Sequence, residues 1–331
     1  MVALVFYVPS TARKCPFETV KKTTFLWKAG AFSAKQTKFV TMYKWMLALC
    51  LLALFSCEKD IDFNLKESAP LLTVDAEIEN GLAPRVVLTR SFSYYQKIDA
   101  SLLASSFVRN AAVYMSNGTV THRLKEYTIP LAPGFAAYYY SIDSADLATA
   151  FTGELNKSYT LRIVADGNEY TSVTRIPASV NFPDSLWFKR APQNPDTTLR
   201  TLYMRATDPP GRGNYVRYFT KKNSEPFLPA ENVFDDQVID GSTYEIQLPQ
   251  GVDRNSVINR DSTFYRQGDS VTLKFCAIDK ASYTFWNTWE FSYQSIGNPF
   301  AQPNKVLGNI SNGALGAFIG YGAGYRTLIA P

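Results

Sequence analysis

From Leu71 onward, apolar and polar residues alternate along much of the chain. In "SYTLRIVADGNEYTSVTRI" (158–176), Tyr159, Leu161 and Ile163 fall on one face and polar residues on the other, the period of a half-buried strand. The alternation breaks at Asp166-Gly167, and Asp-Gly between two such runs predicts a tight hairpin. "AAVYMSNGTVTHRL" (111–124) repeats the arrangement around Asn117-Gly118. "LLTVDAEI", "RVVLTRSF" and "GFAAYYYSI" read as further strands. Short strands divided by turn residues predict an antiparallel β-sandwich over 67–178, immunoglobulin-like or transthyretin-like in size.

A second β-rich domain is expected over 179–331. It opens near "FPDSLWFKR" and continues with "TLYMRATDPPGRGNYVRYFTKK", two strands around a Pro/Gly loop, then "STYEIQLP" and "DSVTLKFCAI". The pattern then changes. Asp279 is a helix N-cap residue, and Tyr283, Trp286 and Tyr293 follow near helical spacing beside Phe285 and Trp289. This predicts one aromatic-rich helix packed on a sheet; the alternative is a carbohydrate-stacking platform. The terminal glycines (Gly313, Gly316, Gly320, Gly322, Gly324) lack the context of a phosphate loop. They are expected to permit tight turns and close backbone packing.

The front of the chain has another pattern. Trp45–Phe55 is an uncharged run of eleven apolar residues, shorter than the roughly 20 needed to span a bilayer. With Lys44 before it, the run fits the core of a signal peptide. It ends in Leu54-Phe55-Ser56-Cys57, followed by an abrupt polar switch, and this resembles a bacterial lipobox. In that chemistry the Cys57 thiol accepts a diacylglyceryl group and a signal peptidase cuts before it. Leu54 and Ser56 are the recognition positions, and Ser56 must be small. Met42 then becomes the expected start, with 1–41 an over-extended gene start (the alternative is a real basic leader), 42–56 the signal peptide and 57–66 an acidic tether.

Processing at Cys57 changes the charge. The chain carries 34 basic and 29 acidic residues, a net of +5. Residues 1–57 hold eight of the basic and one of the acidic residues, so the remainder has 26 against 28, a net of −2. The basic balance that would suggest a nucleic-acid partner therefore belongs to the leader, and no nucleic acid is expected. Of the four cysteines only Cys57 and Cys276 survive processing. Cys276 lies in a strand-like apolar run and is expected to be a small buried hydrophobe.

Catalytic candidates are few. His122 is the single histidine; it alternates with Val120 and Leu124 and is expected to be a hydrogen-bonded structural residue. Zinc motifs built on several histidines are thereby excluded. A carboxylate pair for glycoside hydrolysis would fall at Asp235-Asp236, in a loop where adjacent acids are ordinarily just solvated. No catalytic residue, metal site or cofactor is assigned, and no enzyme is expected. Asp143-Ser144-Ala145, Asp184-Ser185-Leu186, Asp196-Thr197-Thr198, Asp261-Ser262-Thr263 and Asp269-Ser270-Val271 resemble a short O-glycosylation motif of exported proteins, though Asp-Ser is also common in turns.

Together "SCEKDIDFN", "DPPGRGNYVRY", "GDSVTLKFCAIDKASYTFW", "GNPFAQP" and "NISNGALGAFIGYG" resemble the Bacteroidota lipoproteins grouped as domain of unknown function 4249, over essentially the whole mature chain. The resemblance implies a lipid-anchored outer-membrane lipoprotein, on the periplasmic or the cell-surface face. It also implies an accessory, non-catalytic role at a TonB-dependent transporter, because such genes often neighbour transporter genes. Glu58, Asp60 and Asp62 resemble a surface-export signal or serve as a solvated tether. Two other readings stand beside this one: a surface glycan binder or hydrolase, and a structural or adhesive envelope protein.

Overall fold

The computed structural model describes residues 69–331 apart from 94–95, 133–134, 255–262, 299 and 303. The leader, the signal-like run and Cys57 lie outside the described residues. The chain is mainly β, and no helix among the described residues is long and apolar enough to cross a membrane.

The first half supplies β1 (Leu72–Glu79), β2 (Arg85–Arg90), the short helix α1 (Ala100–Ser106), β3 (Ala112–Ser116), β4 (Thr121–Ala132), β5 (Phe135–Ser141), β6 (Ser158–Ala165) and β7 (Asn168–Arg175). Both expected hairpins form. β6 pairs with β7 through a turn in which Asp166 and Gly167 take φ of 52° and 76°, the left-handed geometry that Asp-Gly turns supply. β3 pairs with β4 around Asn117-Gly118, where the Asn117 side chain accepts from the backbone of Thr119 and Val120.

The second half supplies β8 (Ser185–Arg190), β9 (Leu199–Thr207), β10 (Tyr215–Lys222), β11 (Leu228–Pro229), β12 (Phe234–Asp235), β13 (Thr243–Leu248), β14 (Tyr265–Arg266), β15 (Ser270–Ile278), helix α2 (Lys280–Gln294) and β16 (Leu315–Ile329). The Asp279 carboxylate accepts from the Ser282 N–H at 2.8 Å and caps α2.

One twelve-stranded sheet has the order β11-β10-β15-β16-β1-β2-β5-β4-β3-β6-β7, with β12 also on β10. A smaller sheet sets β8 on one edge of β9 and β13 and β14 on the other. β9 and β10, on either side of the Pro/Gly loop, thus belong to different sheets. The first core cluster draws on buried residues within 72–176 together with Phe318 of β16. The large sheet runs through both halves of the chain, because β16 pairs parallel with β1 and antiparallel with β15.

Three cores follow. The first lies inside the curled first half, around Val74, Ile78, Leu88, Leu161, Ile163 and Phe318. The second lies between the large and small sheets, around Leu202, Met204, Leu248, Leu273 and Phe275. The third lies on the other face of β15 and β16, beneath Phe285, Trp286 and Trp289 of α2. The helix aromatics are therefore core, as their spacing predicts.

Glycines at alternate positions of β16 have one cause. Gly320, Gly322 and Gly324 share a face, and residues 175–182 run across it. A Cβ on Gly320 would sit 2.8 Å from the Arg175 carbonyl and 2.9 Å from the Ile176 nitrogen, and one on Gly324 would meet the Phe182 ring at 2.6 Å. At Gly322 the nearest atom would be 3.4 Å away. Gly320→Ala is therefore expected to lower stability by about 1–3 kcal/mol through overpacking, and Gly322→Ala by less. Urea unfolding of both variants checks the ranking, and equal midpoints would refute it.

Candidate functional site

The polar groups nearest to a site gather where the chain passes from the small sheet to the large one. Asp208 opens the loop after β9, and Asp236 and Asp240 sit in the turn after β12. Their carboxylates lie within 4.8 Å of one another. Gly211 and Gly213 take φ of 110° and 120°, a region open to glycine, and this points their N–H groups at the acids. Gly213 and Asn214 donate backbone N–H to Asp236 Oδ2 at 2.7 and 2.9 Å, and Asn214 Nδ2 adds a third bond at 3.2 Å. Gly211 N–H donates to Asp240 Oδ1 at 2.7 Å, and Gly241 N–H to Asp208 at 3.4 Å.

These bonds separate the carboxylates electrostatically. Burial opposes ionisation of Asp236, but the N–H groups of Asn214 and Gly213 outweigh it and hold its pKa below the ordinary range. Asp208 moves the other way, pushed up by burial and by the charges of Asp236 and Asp240. Oxygen donors of this kind suit a hard divalent cation. Each acid also accepts from the backbone, so the cluster clamps the loop through these bonds.

Of the acids singled out by sequence, Asp235 and Asp236 do not face one another. Asp235 accepts from the Tyr283 hydroxyl at 2.9 Å and helps push that hydroxyl up to about 12, after burial. Asp236 turns instead toward Asp208 and Asp240, which adjacency in sequence does not reveal. The only available signal was that Asp208 opens the Gly-rich loop and Asp240 follows four residues after Asp236.

His122 is buried between two partners. Its Nε2 accepts from the Asp143 N–H at 3.0 Å, which leaves Nδ1 to donate to Thr149 Oγ1 at 2.8 Å. Both ring nitrogens are engaged, as expected of a structural histidine. Cys276 is fully buried, and burial pushes its thiol up, the opposite of a reactive cysteine. Among the Asp-Ser/Thr motifs, Ser144 and Thr197 are exposed, Ser185 and Ser270 are half-buried, and Asp261-Ser262 lies outside the described residues. Leu54, Ser56 and Cys57 also lie outside them.

Two buried ionic groups escaped the sequence reading. Glu290 on α2 pairs with Arg217 at 3.4 Å and Arg254 at 2.6 Å. The Arg217 guanidinium lies 3.6 Å from the Trp286 ring centroid, a cation–π contact. On the same sheet face Lys274 pairs with Glu79, which also accepts from the Tyr325 hydroxyl.

The fold and these sites define a mainly β protein in which Asp208, Asp236, Asp240 and His122 are engaged in internal hydrogen bonds. The chain matches the family described as Domain of unknown function (DUF4249) over residues 58–327, and it belongs to that family. No curated protein matches it.

Asp236→Ala would take the acceptor from the part-buried N–H groups of Gly213 and Asn214, at an expected cost of about 0.5–1.5 kcal/mol. Because the folded pKa of Asp236 lies below the unfolded value of about 3.9, its contribution is full above that value and is lost as pH falls through the folded one. Acid titration of the urea midpoint should therefore fall less steeply in Asp236→Ala than in the parent; identical slopes would contradict the clamp.

Proposed function

We propose that the protein is a lipid-anchored outer-membrane lipoprotein acting as a non-catalytic accessory or binding component of a TonB-dependent transporter system. The observation that carries the reading is the run Leu54-Phe55-Ser56-Cys57 at the end of an eleven-residue apolar segment, followed by a polar switch. A diacyl or triacyl cysteine holds a protein stably on a membrane, where one chain would not. The family match begins at residue 58, immediately after the acceptor cysteine, as expected if the functional unit starts there. The commitment of His122 and Asp236 to internal hydrogen bonds supports a binding rather than a catalytic role.

A second reading has one specific observation in its favour. On the outer face of the small sheet, Trp187 and Tyr203 sit side by side, with centroids 6.2 Å apart and planes 22° apart. Lys189 lies 4.4 Å from the Tyr203 centroid. Neighbouring near-parallel rings of this kind offer sugar faces a stacking surface, which suits a glycan binder.

Three experiments separate these readings. Cys57→Ala is expected to lose labelled-palmitate incorporation and to leave the membrane fraction. Gentle-detergent purification of the parent is expected to recover a TonB-dependent transporter. A parent that stays soluble would end the lipoprotein reading. For the second reading, Trp187→Ala should weaken retention on an immobilised polysaccharide panel at least tenfold without changing transporter recovery, and no retention by the parent would refute it.

A further inference from the structure

The exposed aliphatic side chains are not scattered evenly. Several collect at the end of the large sheet where the described chain begins. Pairing of Leu72 with Arg90, and the bond from Ser91 N–H to the Leu71 carbonyl, put the start of β1 beside the end of β2. Parallel pairing of Thr73 with Leu315 puts the start of β16 at the same end. Gly308 packs against the Gly316 backbone, which brings Leu307 there too.

The β4–β5 hairpin points the same way. β5 runs antiparallel to β2 from the bridge of Val86 with Tyr140, so its beginning lies toward the end of β2. The bridge of Thr89 with Phe107 carries the C-terminus of α1 to that end as well. Leu71, Ile129, Leu131, Leu307 and Leu315 are each at least 37% exposed. Between α1 and the hairpin lies an open cavity of about 320 Å³, lined by Ala104, Pro130, Ala132, Phe135, Ala136 and Tyr138. Four strand spacings separate β16 from β4, so the apolar end is roughly 20 Å wide.

Chain connectivity identifies the occupant. Ala69 enters the structure at this end, and the sequence places Cys57 twelve residues earlier. Twelve residues reach at most about 40 Å when fully extended. A membrane holding an acylated Cys57 is therefore tied to this end of the sheet and not to the far end of β16, roughly 45 Å along the strand.

We propose that this end of the sheet is a bilayer-docking face. Leu71, Ile129, Leu131, Leu307 and Leu315 enter the headgroup–acyl boundary of the membrane that carries the anchor, and they fix the orientation in which the rest of the molecule projects. The proposal rests on the lipid-anchor reading above. Separate aliphatic protrusions at the anchored end suit a fluid lipid surface, which needs no shape complement.

The test uses the full chain, acylated in cells, purified and reconstituted into vesicles of phosphatidylethanolamine and phosphatidylglycerol. A nitroxide label is placed at Leu131→Cys, Leu315→Cys or Ile329→Cys, the last being an exposed aliphatic at the opposite end of β16. Buried Cys276 is protected from the label. Labels at 131 and 315 are expected to collide with oxygen several-fold more readily than with a water-soluble nickel chelate, and the label at 329 to show the reverse. Equal, aqueous ratios at all three positions overturn the docking face. Aqueous ratios at 131 and 315 in vesicles with shielding in native membranes also overturn it, in favour of a protein partner. Mass analysis of the N-terminal peptide scores acylation separately. An unacylated chain sinks the anchor reading, whereas an acylated chain with aqueous labels sinks only the docking face.

Discussion

Residues 175–182 lie directly on one face of β16, and that contact requires glycine at alternate positions of the strand. The two halves of the chain meet through it. β16 also bonds along both edges, to β1 and to β15, and its side chains contribute to the cores on both faces. Where a side chain would block the connector the strand carries glycine. Where the helix covers it, the strand carries Ala317, Ile319 and Tyr321. One strand thus reads as two interleaved sets, one shaped for backbone and one for aromatic rings.

Charged groups follow from the same layering. α2 covers β10, β15 and β16, so any charge on that face must find its partner inside the layer. Glu290 answers Arg217 and Arg254, and Glu79 answers Lys274. Buried pairs like these add little net stability over apolar replacements, yet losing one partner is costly. The Glu290 pairs therefore act mainly to hold the helix in a single position, and the Glu79–Lys274 pair ties β1 to β15 across β16. The Asp208–Asp236–Asp240 loop plays the corresponding part where the chain crosses between sheets.

Much of this architecture was legible locally. Asp166-Gly167 and Asn117-Gly118 marked hairpins because their turn chemistry lies within four residues. Asp279 marked the start of α2 because a cap acts on the N–H three residues on. The length and pairing of β16 were not legible. Residues 317–323 are all buried, so the strand shows no alternation, and its glycines read only as sites of tight turns or close backbone packing. Its parallel partner lies about 240 positions earlier, beyond any local signal. The short helix α1 was likewise missed, since its seven residues hold no clear period. The acid cluster was half legible: Asp236 was visible, whereas Asp208 and Asp240 join it only through the loop's three-dimensional path.

The pairing of β1 with β16 also sets an order in time. β1 is among the first parts of the described chain to be made and β16 is its last strand, so β1 lacks one neighbour until β16 has been made. The loop to be closed is nearly the whole described chain, and closures of that kind slow folding more than they weaken the final state. The nascent sheet consequently stays open at β1 for as long as β16 is missing. Removing β16 would deprive both halves of their shared strand at once.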